Sequence, residues 1–112
     1  MAEYIVVIAS DKLGAGNNDL GRTLIKSFIS ALAQEEELPK EILLYNGGVT
    51  LAAEGADTVE DLQSLMDKGV SIKACGTCVS FYELKDKLAV GEETNMRYIL
   101  EQLRSYDRVV RP

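Results

Sequence analysis

The sequence has no histidine, and this absence excludes several kinds of chemistry. Catalysis by a Ser–His or Cys–His pair within one chain is excluded, as are metal sites with histidine ligands. An excess of positive charge is also missing, because 12 basic residues stand against 18 acidic ones and give a net charge of −6. Without a basic excess to neutralise phosphates, we expect no binding to nucleic acid or to an anionic membrane surface.

Long hydrophobic runs and a targeting signal are lacking too. No apolar run approaches the roughly 20 residues that span a bilayer. The start Met1-Ala2-Glu3 lacks the basic beginning of a secretory signal. With 112 residues, 46% hydrophobic and 27% charged, the composition is typical of one globular domain. We therefore predict a single cytoplasmic domain over residues 1–112, with no membrane contact.

Cysteine is scarce, but the two that occur form one motif. Cys75 and Cys78 make a C-x-x-C. One such short loop cannot serve as the disulfide framework of a secreted mini-protein. The spacing is instead typical of redox, sulfur or metal chemistry. Since a structural metal site needs four ligands and one chain supplies two cysteines, we predict no metal.

The position of the pair favours reactive thiols. A helix is predicted to begin just after Cys78, and its unpaired N–H groups would stabilise a thiolate and lower the cysteine pKa. Gly76 allows a tight turn, so the sulfurs could close a disulfide or pass a sulfur atom between them. The alternative is a pair of small, half-buried apolar side chains. The location at a predicted strand end favours the reactive interpretation.

The apolar pattern predicts alternating strands and helices. Strands are predicted at 4–9, 41–45, 70–74, 88–90 and 108–111. The first helix is predicted to be capped by Asn18 or Asp19. Further helices are predicted to start at Thr58 to Asp61, after Cys78 through a Ser80–Glu83 capping box, and after a Thr94 cap. This order predicts a three-layer α/β/α fold around a mostly parallel five-stranded sheet.

Two of these helices have a predicted inward face. In the first, the recurring residues are Leu20, Leu24, Phe28 and Leu32, widened by Ile25 and Ile29. In the last, the residues predicted to point inward are Met96, Ile99, Leu100 and Leu103.

Three predicted loops, 10–19, 46–57 and 75–79, end at the carboxyl edge of the sheet. Ligands bind at this edge in open parallel sheets. The glycines of the first loop miss the dinucleotide spacing and no P-loop is present, so a plain loop feeding a helix is favoured there. Asn46-Gly47-Gly48 is likewise predicted to be a turn. The candidate ligand-binding residues are Asp11, Lys12, Gly14, Gly16, Asn17, Asn46, Gly47, Thr50, Gly76 and Thr77, beside the cysteines.

Four segments carry a family resemblance: SDKLGAGNNDLGRTL, LLYNGGVTLA, IKACGTCVSFYELKDKLAVGEETNM and YILEQL. They resemble the DsrE/DsrF-like family, close to the carboxyl-terminal domain of the YedF proteins, which are sulfurtransferase-like and associated with selenium metabolism. The resemblance covers nearly the whole chain and is most specific over 75–96. It implies a flavodoxin-like DsrE fold, a homo-oligomer and a TusA-like sulfur-carrier partner. By position, it implies that Cys75 carries a persulfide and that Cys78 is a resolving or second acceptor thiol.

Three functional hypotheses stay open. The first is a sulfur or selenium relay through the C-x-x-C, with Lys12 and Lys73 as electrostatic helpers and no cofactor. The second is a non-catalytic oligomeric or redox-sensing binding module. The third is a small-molecule-binding domain that uses the Gly14 and Asn46 loops. YedF proteins usually carry an amino-terminal TusA-like domain, and we find none in this sequence. The sequence is then either a stand-alone version or a piece of a longer protein, and in both cases the relay hypothesis expects the partner domain to be supplied from elsewhere.

Overall fold

A computed structural model describes residues 3–112 of the chain. The strands are β1 (Tyr4–Ile8), β2 (Glu41–Leu44), β3 (Ser71–Cys75), β4 (Glu92–Thr94) and β5 (Arg108–Val110). The helices are α1 (Asn18–Ala33), α2 (Val59–Asp67), α3 (Gly76–Phe81) and α4 (Met96–Ser105), and a 3₁₀ segment (Asn46–Ala52) follows β2. None of the helices over 3–112 is long and apolar enough to cross a membrane.

The strands form one sheet in the order β4-β3-β2-β1-β5, and each neighbouring pair is parallel. The predicted three-layer α/β/α architecture is therefore confirmed. Parallel strands need crossovers, and these are right-handed almost without exception. Steps from β1 to β4 run in one direction across the sheet, whereas the step from β4 to β5 runs back. The last helix, α4, is thus expected on the opposite face from the others.

The buried residues form two clusters, one on each face of the sheet, as this topology predicts. On one face, strand residues such as Val6, Leu44 and Ile72 pack with apolar residues of α1, α2 and the 3₁₀ segment. The other face is smaller, and its buried residues are Ile5, Val7, Leu43, Cys75 and Ile99. Ile99 is the buried residue of α4. The central strands β1 and β2 are therefore apolar on both sides, which explains their continuous hydrophobic sequences.

The predicted fourth strand at 88–90 is wrong, because β4 lies at Glu92–Thr94. Leu88 makes an antiparallel bridge to Ala53, and Ala89 N–H donates to Ala52 O at 2.8 Å. The 88–90 segment therefore pairs with the end of the 3₁₀ segment rather than with β3. β4 is an edge strand with exposed Glu92 and Glu93, so it lacks the apolar pattern that marks a buried strand.

Two predicted helix starts also need correction. Helix α3 begins at Gly76, directly after β3, so Cys78 lies within the helix rather than before it. The Ser80–Glu83 capping box does not form, because Glu83 lies beyond the helix with φ 57°. Helix α4 is capped by Asn95 instead of Thr94, and the Asn95 Oδ1 accepts from Tyr98 N–H at 2.8 Å.

The predicted inward faces are partly wrong. Leu20 and Leu24 are exposed on α1, where the buried positions are Gly21, Ile25, Ile29, Leu32 and Ala33. Met96 and Leu100 are exposed on α4, although Ile99 is buried. The helical spacing locates an apolar stripe correctly, but the sheet covers only the part of the stripe that faces it.

Candidate functional site

Cys75 is the last residue of β3 and the residue that precedes α3. Its side chain is 2% exposed and packs in the smaller core with Val7, Leu43 and Ile99. Cys75 is also in register with Thr94 of β4. The chain therefore places this thiol beneath the surface, on the face covered by α4.

Cys78 is half-buried, and like Cys75 it is a free thiol. Its Sγ accepts a hydrogen bond from the backbone N–H of Asn46 at 3.0 Å. Burial raises the pKa of Cys78, and its interactions with Cys75 raise that pKa further, while the Asn46 N–H lowers it. The lowered pKa predicted for Cys78 is thus wrong, because desolvation of the thiolate outweighs the favourable N–H contact.

Asn46 links the cysteine helix to the end of β2. It adopts a left-handed conformation with φ 49°, which asparagine tolerates better than most residues. Its Oδ1 accepts a hydrogen bond from the Tyr82 hydroxyl at 3.2 Å. Asn46 therefore contacts both Cys78 and Tyr82, and it begins the 3₁₀ segment where a plain turn was predicted.

Gly48 sets the path of the 3₁₀ segment. A Cβ at Gly48 would lie 2.1 Å from the carbonyl oxygen of Ile8, so no other residue fits without movement of the backbone. The Tyr45 N–H donates to the same Ile8 oxygen at 3.2 Å. This close approach to β1 fixes the position from which Asn46 reaches Cys78.

Three of the predicted ligand-binding residues, Asp11, Gly47 and Thr50, lie close together around the 3₁₀ segment. A Cβ at Gly47 would lie 3.4 Å from the Asp11 nitrogen, so the first and second loops are in contact. Thr50 Oγ1 donates to Gly47 O at 2.7 Å. Asp11 and Thr50 line one cavity beside α1. Lys12 Nζ donates to Asp11 Oδ1 at 2.7 Å, and that pairing gives the lysine a partner within its own loop.

Other predicted residues have local roles. Asn17 is the cap of α1, in place of the predicted Asn18 or Asp19, and its Oδ1 accepts from Leu20 N–H at 2.9 Å. Gly14 and Gly16 are exposed in the first loop at positive φ. Thr77 is exposed on α3. Lys73 Nζ donates to Glu92 Oε2 at 3.0 Å, between neighbouring strands at the edge of the sheet.

Gly76 is needed for the close packing of α3 against β4. A Cβ at Gly76 would lie 3.2 Å from both Glu93 Oε1 and Thr94 O. The sequence indicated a tight turn between the sulfurs, whereas the structure indicates close packing against the edge strand. Over residues 3–112, no group of three or more Cys, Asp or Glu side chains is arranged to hold a metal ion.

Sequence reasoning did not identify four residues, two beside Cys78 and two beside Asp11. Phe81 and Tyr82 follow Cys78 by one helical turn, with their rings in an edge-to-face contact at 5.4 Å. Arg22 and Lys26 lie one turn apart on α1 and line the cavity that contains Asp11. The aromatic pair could have been noticed from its spacing to Cys78. The two basic residues are typical of an ordinary solvated helix surface, so nothing in the sequence indicated that they line a cavity.

Comparison with solved structures finds this architecture in other proteins. The YchN protein from E. coli has a TM-score of 0.73 and 21% sequence identity, and the match covers 100% of both chains. MTH1491 from Methanobacterium thermoautotrophicum, a protein of unknown function, has a TM-score of 0.69 and 19% identity over 100% of both chains. BT1422 from Bacteroides thetaiotaomicron, a conserved protein of unknown function, has a TM-score of 0.67 and 13% identity over 98% of this chain and 95% of that one.

The chain therefore has an α/β fold of the DsrE-like class. YchN is a DsrE/DsrF-like protein, so the likeness to that family predicted from the sequence is confirmed at the level of the fold. By sequence, no family model matches this chain and no curated protein does. At these low identities the structural likeness concerns architecture, and any function has to be argued from the site itself.

Proposed function

We propose that this protein is a sulfur or selenium relay in which the Cys75–Cys78 pair carries the transferred atom as a persulfide or selenosulfide. The observation that supports this proposal is the 3.0 Å contact between the Asn46 backbone N–H and Cys78 Sγ. It aims a fixed hydrogen-bond donor at a half-buried sulfur, at the sheet edge where ligands bind in such folds. That donor partly offsets the burial that raises the pKa of Cys78, and it stabilises negative charge on the sulfur once the thiolate forms.

The proposed reaction is a nucleophilic transfer. The Cys78 thiolate attacks the outer sulfur of a persulfide on a donor. The sulfur–sulfur bond of the donor breaks, and the donor leaves as a thiolate while Cys78 becomes a persulfide. An acceptor thiolate then attacks that outer sulfur and restores the Cys78 thiolate. In a second route, Cys75 attacks the inner sulfur of the Cys78 persulfide. Hydrogen sulfide leaves with the Cys75 proton, and a Cys75–Cys78 disulfide remains.

The two cysteines differ in access. The family resemblance gives the carrier role to Cys75 and the second role to Cys78. Cys75 is 2% exposed, whereas Cys78 is half-buried and receives the Asn46 N–H. Because a macromolecular donor has to reach the attacking sulfur, these features support Cys78 as the first acceptor and Cys75 as the resolving thiol.

Partners and location are proposed on the same basis. Phe81 is 80% exposed one turn after Cys78, which supports a docking surface for a TusA-like sulfur carrier beside the thiol. Met96 and Leu100 are exposed one turn apart on α4, which supports homo-oligomer formation. Free thiols in a relay require a reducing compartment, so we propose a cytoplasmic location.

Intact-protein mass spectrometry tests the relay. The reduced protein is incubated with a sulfane-sulfur donor, and wild type, Cys75→Ala and Cys78→Ala are compared. Ser80→Ala, an exposed position of the same helix, serves as the matched control. We expect a gain of one sulfur in wild type, Cys75→Ala and Ser80→Ala, and no gain in Cys78→Ala. Loss of uptake in Cys75→Ala alone would give the carrier role to Cys75.

The second candidate is a redox-sensing binding module. The interaction between the two thiols that contributes to the raised pKa of Cys78 supports it, because neighbouring free thiols can close a disulfide. In this case the wild type loses two hydrogens under a mild oxidant and takes up no sulfur from the donor. That pair of results would replace the relay proposal with the redox module.

A further inference from the structure

A cavity of about 300 Å³ lies beside α1, apart from the two cysteines. Its walls come from three parts of the chain. Arg22 and Lys26 belong to α1, Asp11 belongs to the loop after β1, and Asp57 belongs to the loop before α2. The size is at the lower end of the range for small-molecule sites, which begins near 300 Å³.

The charges of the cavity are sorted by wall. Arg22 and Lys26 are four residues apart and therefore lie on the same side of α1. The two carboxylates, Asp11 and Asp57, come from the loops across from that helix. Two positive and two negative groups make the ionisable lining neutral overall, with the positive groups on one side and the negative groups on the other.

The ion pairs across the cavity are long. Arg22 Nε lies 4.0 Å from Asp11 Oδ2, and Lys26 Nζ lies 3.6 Å from Asp57 Oδ2. Arg22 and Lys26 are about half exposed, so pairs of this kind contribute little to stability. The short contacts of these groups use other atoms: Asp11 Oδ1 accepts from Lys12 Nζ at 2.7 Å, and an Arg22 terminal nitrogen donates to Asp19 at 3.0 Å. A ligand that enters between the cross-cavity partners would replace the two long contacts and leave these two short ones in place.

The remaining lining gives the cavity an apolar side with a few polar atoms. Ile25 and Leu51 are buried core residues whose surfaces line the cavity. Thr58 is almost fully buried, and its hydroxyl donates to Leu51 O at 2.6 Å. Thr50 also lines the cavity, and its hydroxyl donates to Gly47 O. An apolar group of a ligand would therefore pack on Ile25 and Leu51.

From this arrangement we infer that the cavity binds a small zwitterion, namely an α-amino acid with a short apolar side chain. Its carboxylate would lie between Arg22 and Lys26, and its ammonium group would lie between Asp11 and Asp57. A phosphate or another dianion would meet the same two bases but would also face both carboxylates. The neutral, two-sided lining therefore favours a ligand that carries both charges. This inference concerns a site that the proposed relay does not use.

An NMR titration of the full ¹⁵N-labelled chain tests the inference. L-valine is the zwitterionic probe, isobutylamine is the same molecule without the carboxylate, and 3-methylbutanoate is the same molecule without the ammonium group. We expect L-valine to shift the amide signals of Thr23, Thr50 and Asp57 in a saturable manner. Each single-charge analogue is expected to bind at least about tenfold more weakly, since one charge-assisted hydrogen bond is lost.

Variants assign the binding to this cavity. Arg22→Gln and Lys26→Gln are each expected to weaken L-valine binding at least about tenfold. Both side chains are half exposed, so the fold should survive, and the spectra of the free variants report this directly. Arg104→Gln on α4 is the matched control and should bind like wild type. Cys78→Ala should also bind like wild type, which separates this site from the relay.

Three results would overturn the inference. Equal binding of 3-methylbutanoate and L-valine would define a plain anion site, and equal binding of isobutylamine would define a plain cation site. Absence of amide shifts with all three probes in a folded protein would mean that the four charged groups bind no ligand and only shield the apolar core from solvent.

Discussion

Tyr98 and Glu41 are joined across the α4-covered face of the sheet by a hydrogen bond of 2.7 Å, from the tyrosine hydroxyl to Glu41 Oε2. Glu41 is a buried carboxylate at the beginning of β2, and the Ser71 hydroxyl of β3 donates to the same oxygen at 2.7 Å. This contact fixes α4 to the amino ends of β2 and β3. Together with Ile99 it keeps the helix over the face that contains Cys75.

Removal of the Tyr98 hydroxyl is expected to destabilise the protein. In Tyr98→Phe, the buried Glu41 carboxylate keeps the Ser71 donor and loses the Tyr98 donor. A hydrogen bond to a charged group contributes about 1.5–3 kcal/mol, so urea unfolding should show a loss of this size. Tyr45→Phe is the control, because the Tyr45 hydroxyl receives a long 3.5 Å contact from exposed Arg111. Equal stability of the two variants would contradict a structural role for the Tyr98–Glu41 bond.

The ionisation of Tyr98 gives a separate prediction. Burial, followed by the hydrogen bond with Glu41, raises the pKa of Tyr98 from 10.0 to about 12. The folded chain thus holds this proton more tightly than the unfolded chain does. The contribution of Tyr98 to stability should be complete below pH 10 and disappear as the pH rises toward 12. The difference in tyrosinate absorbance between wild type and Tyr98→Phe measures this titration, and a midpoint near 10 would refute it.

Gly48 should be irreplaceable for a steric reason. Gly48→Ala would place a Cβ 2.1 Å from Ile8 O, so the 3₁₀ segment or β1 has to move. We expect a loss of unfolding free energy of about 1–3 kcal/mol, the usual effect of overpacking. Gly47→Ala is the adjacent control, because its Cβ would meet Asp11 N at 3.4 Å. Comparison of the two variants by urea denaturation checks the prediction, and equal losses would speak against it.

The sequence was sufficient to predict the central strands and the long first helix, although not which residues of its apolar stripe are buried. The central strands and the long helix α1 have strong apolar patterns, because the sheet core decides which residues occupy them. β4 has no such pattern, since an edge strand with exposed Glu92 and Glu93 buries little. The 3₁₀ segment could not be predicted from the sequence either. It depends on how closely Gly48 approaches Ile8, and that distance is set by tertiary packing.

The candidate site likewise has features that the sequence predicts and features that depend on tertiary packing. The topology correctly brought Asn46 close to the C-x-x-C, because both follow neighbouring parallel strands. The raised pKa of Cys78 could not be predicted in this manner, since the main cause of the shift is burial and Cys78 packs against core residues distant in sequence. The cap of α1 was predicted one or two residues too late, because Asn17, Asn18 and Asp19 all have the short polar side chain of a helix cap.

Substitutions of Asn46 should separate its backbone role from its side-chain role. Asn46→Gly keeps the backbone N–H and is comfortable at φ 49°, so the Cys78 contact should persist and alkylation of Cys78 should stay close to the wild-type rate. Asn46→Ala keeps the N–H but places a less tolerant residue in the left-handed region, which costs about 1–2 kcal/mol. Rates of iodoacetamide labelling and urea unfolding of both variants check this. A larger loss of stability in the glycine variant would contradict it.

The pH dependence of Cys78 follows from the sign of its pKa shift. Burial raises the pKa of Cys78 above the ordinary value of 9.0, so the thiol form should dominate at neutral pH. Iodoacetamide reacts with the thiolate, and its rate with the Cys75→Ala variant should therefore rise with pH and reach its midpoint above that value. The same variant unfolded in denaturant is the control, and its midpoint should return to the ordinary one. A folded-state midpoint below the unfolded one would mean that the Asn46 N–H, rather than burial, dominates the ionisation of this sulfur.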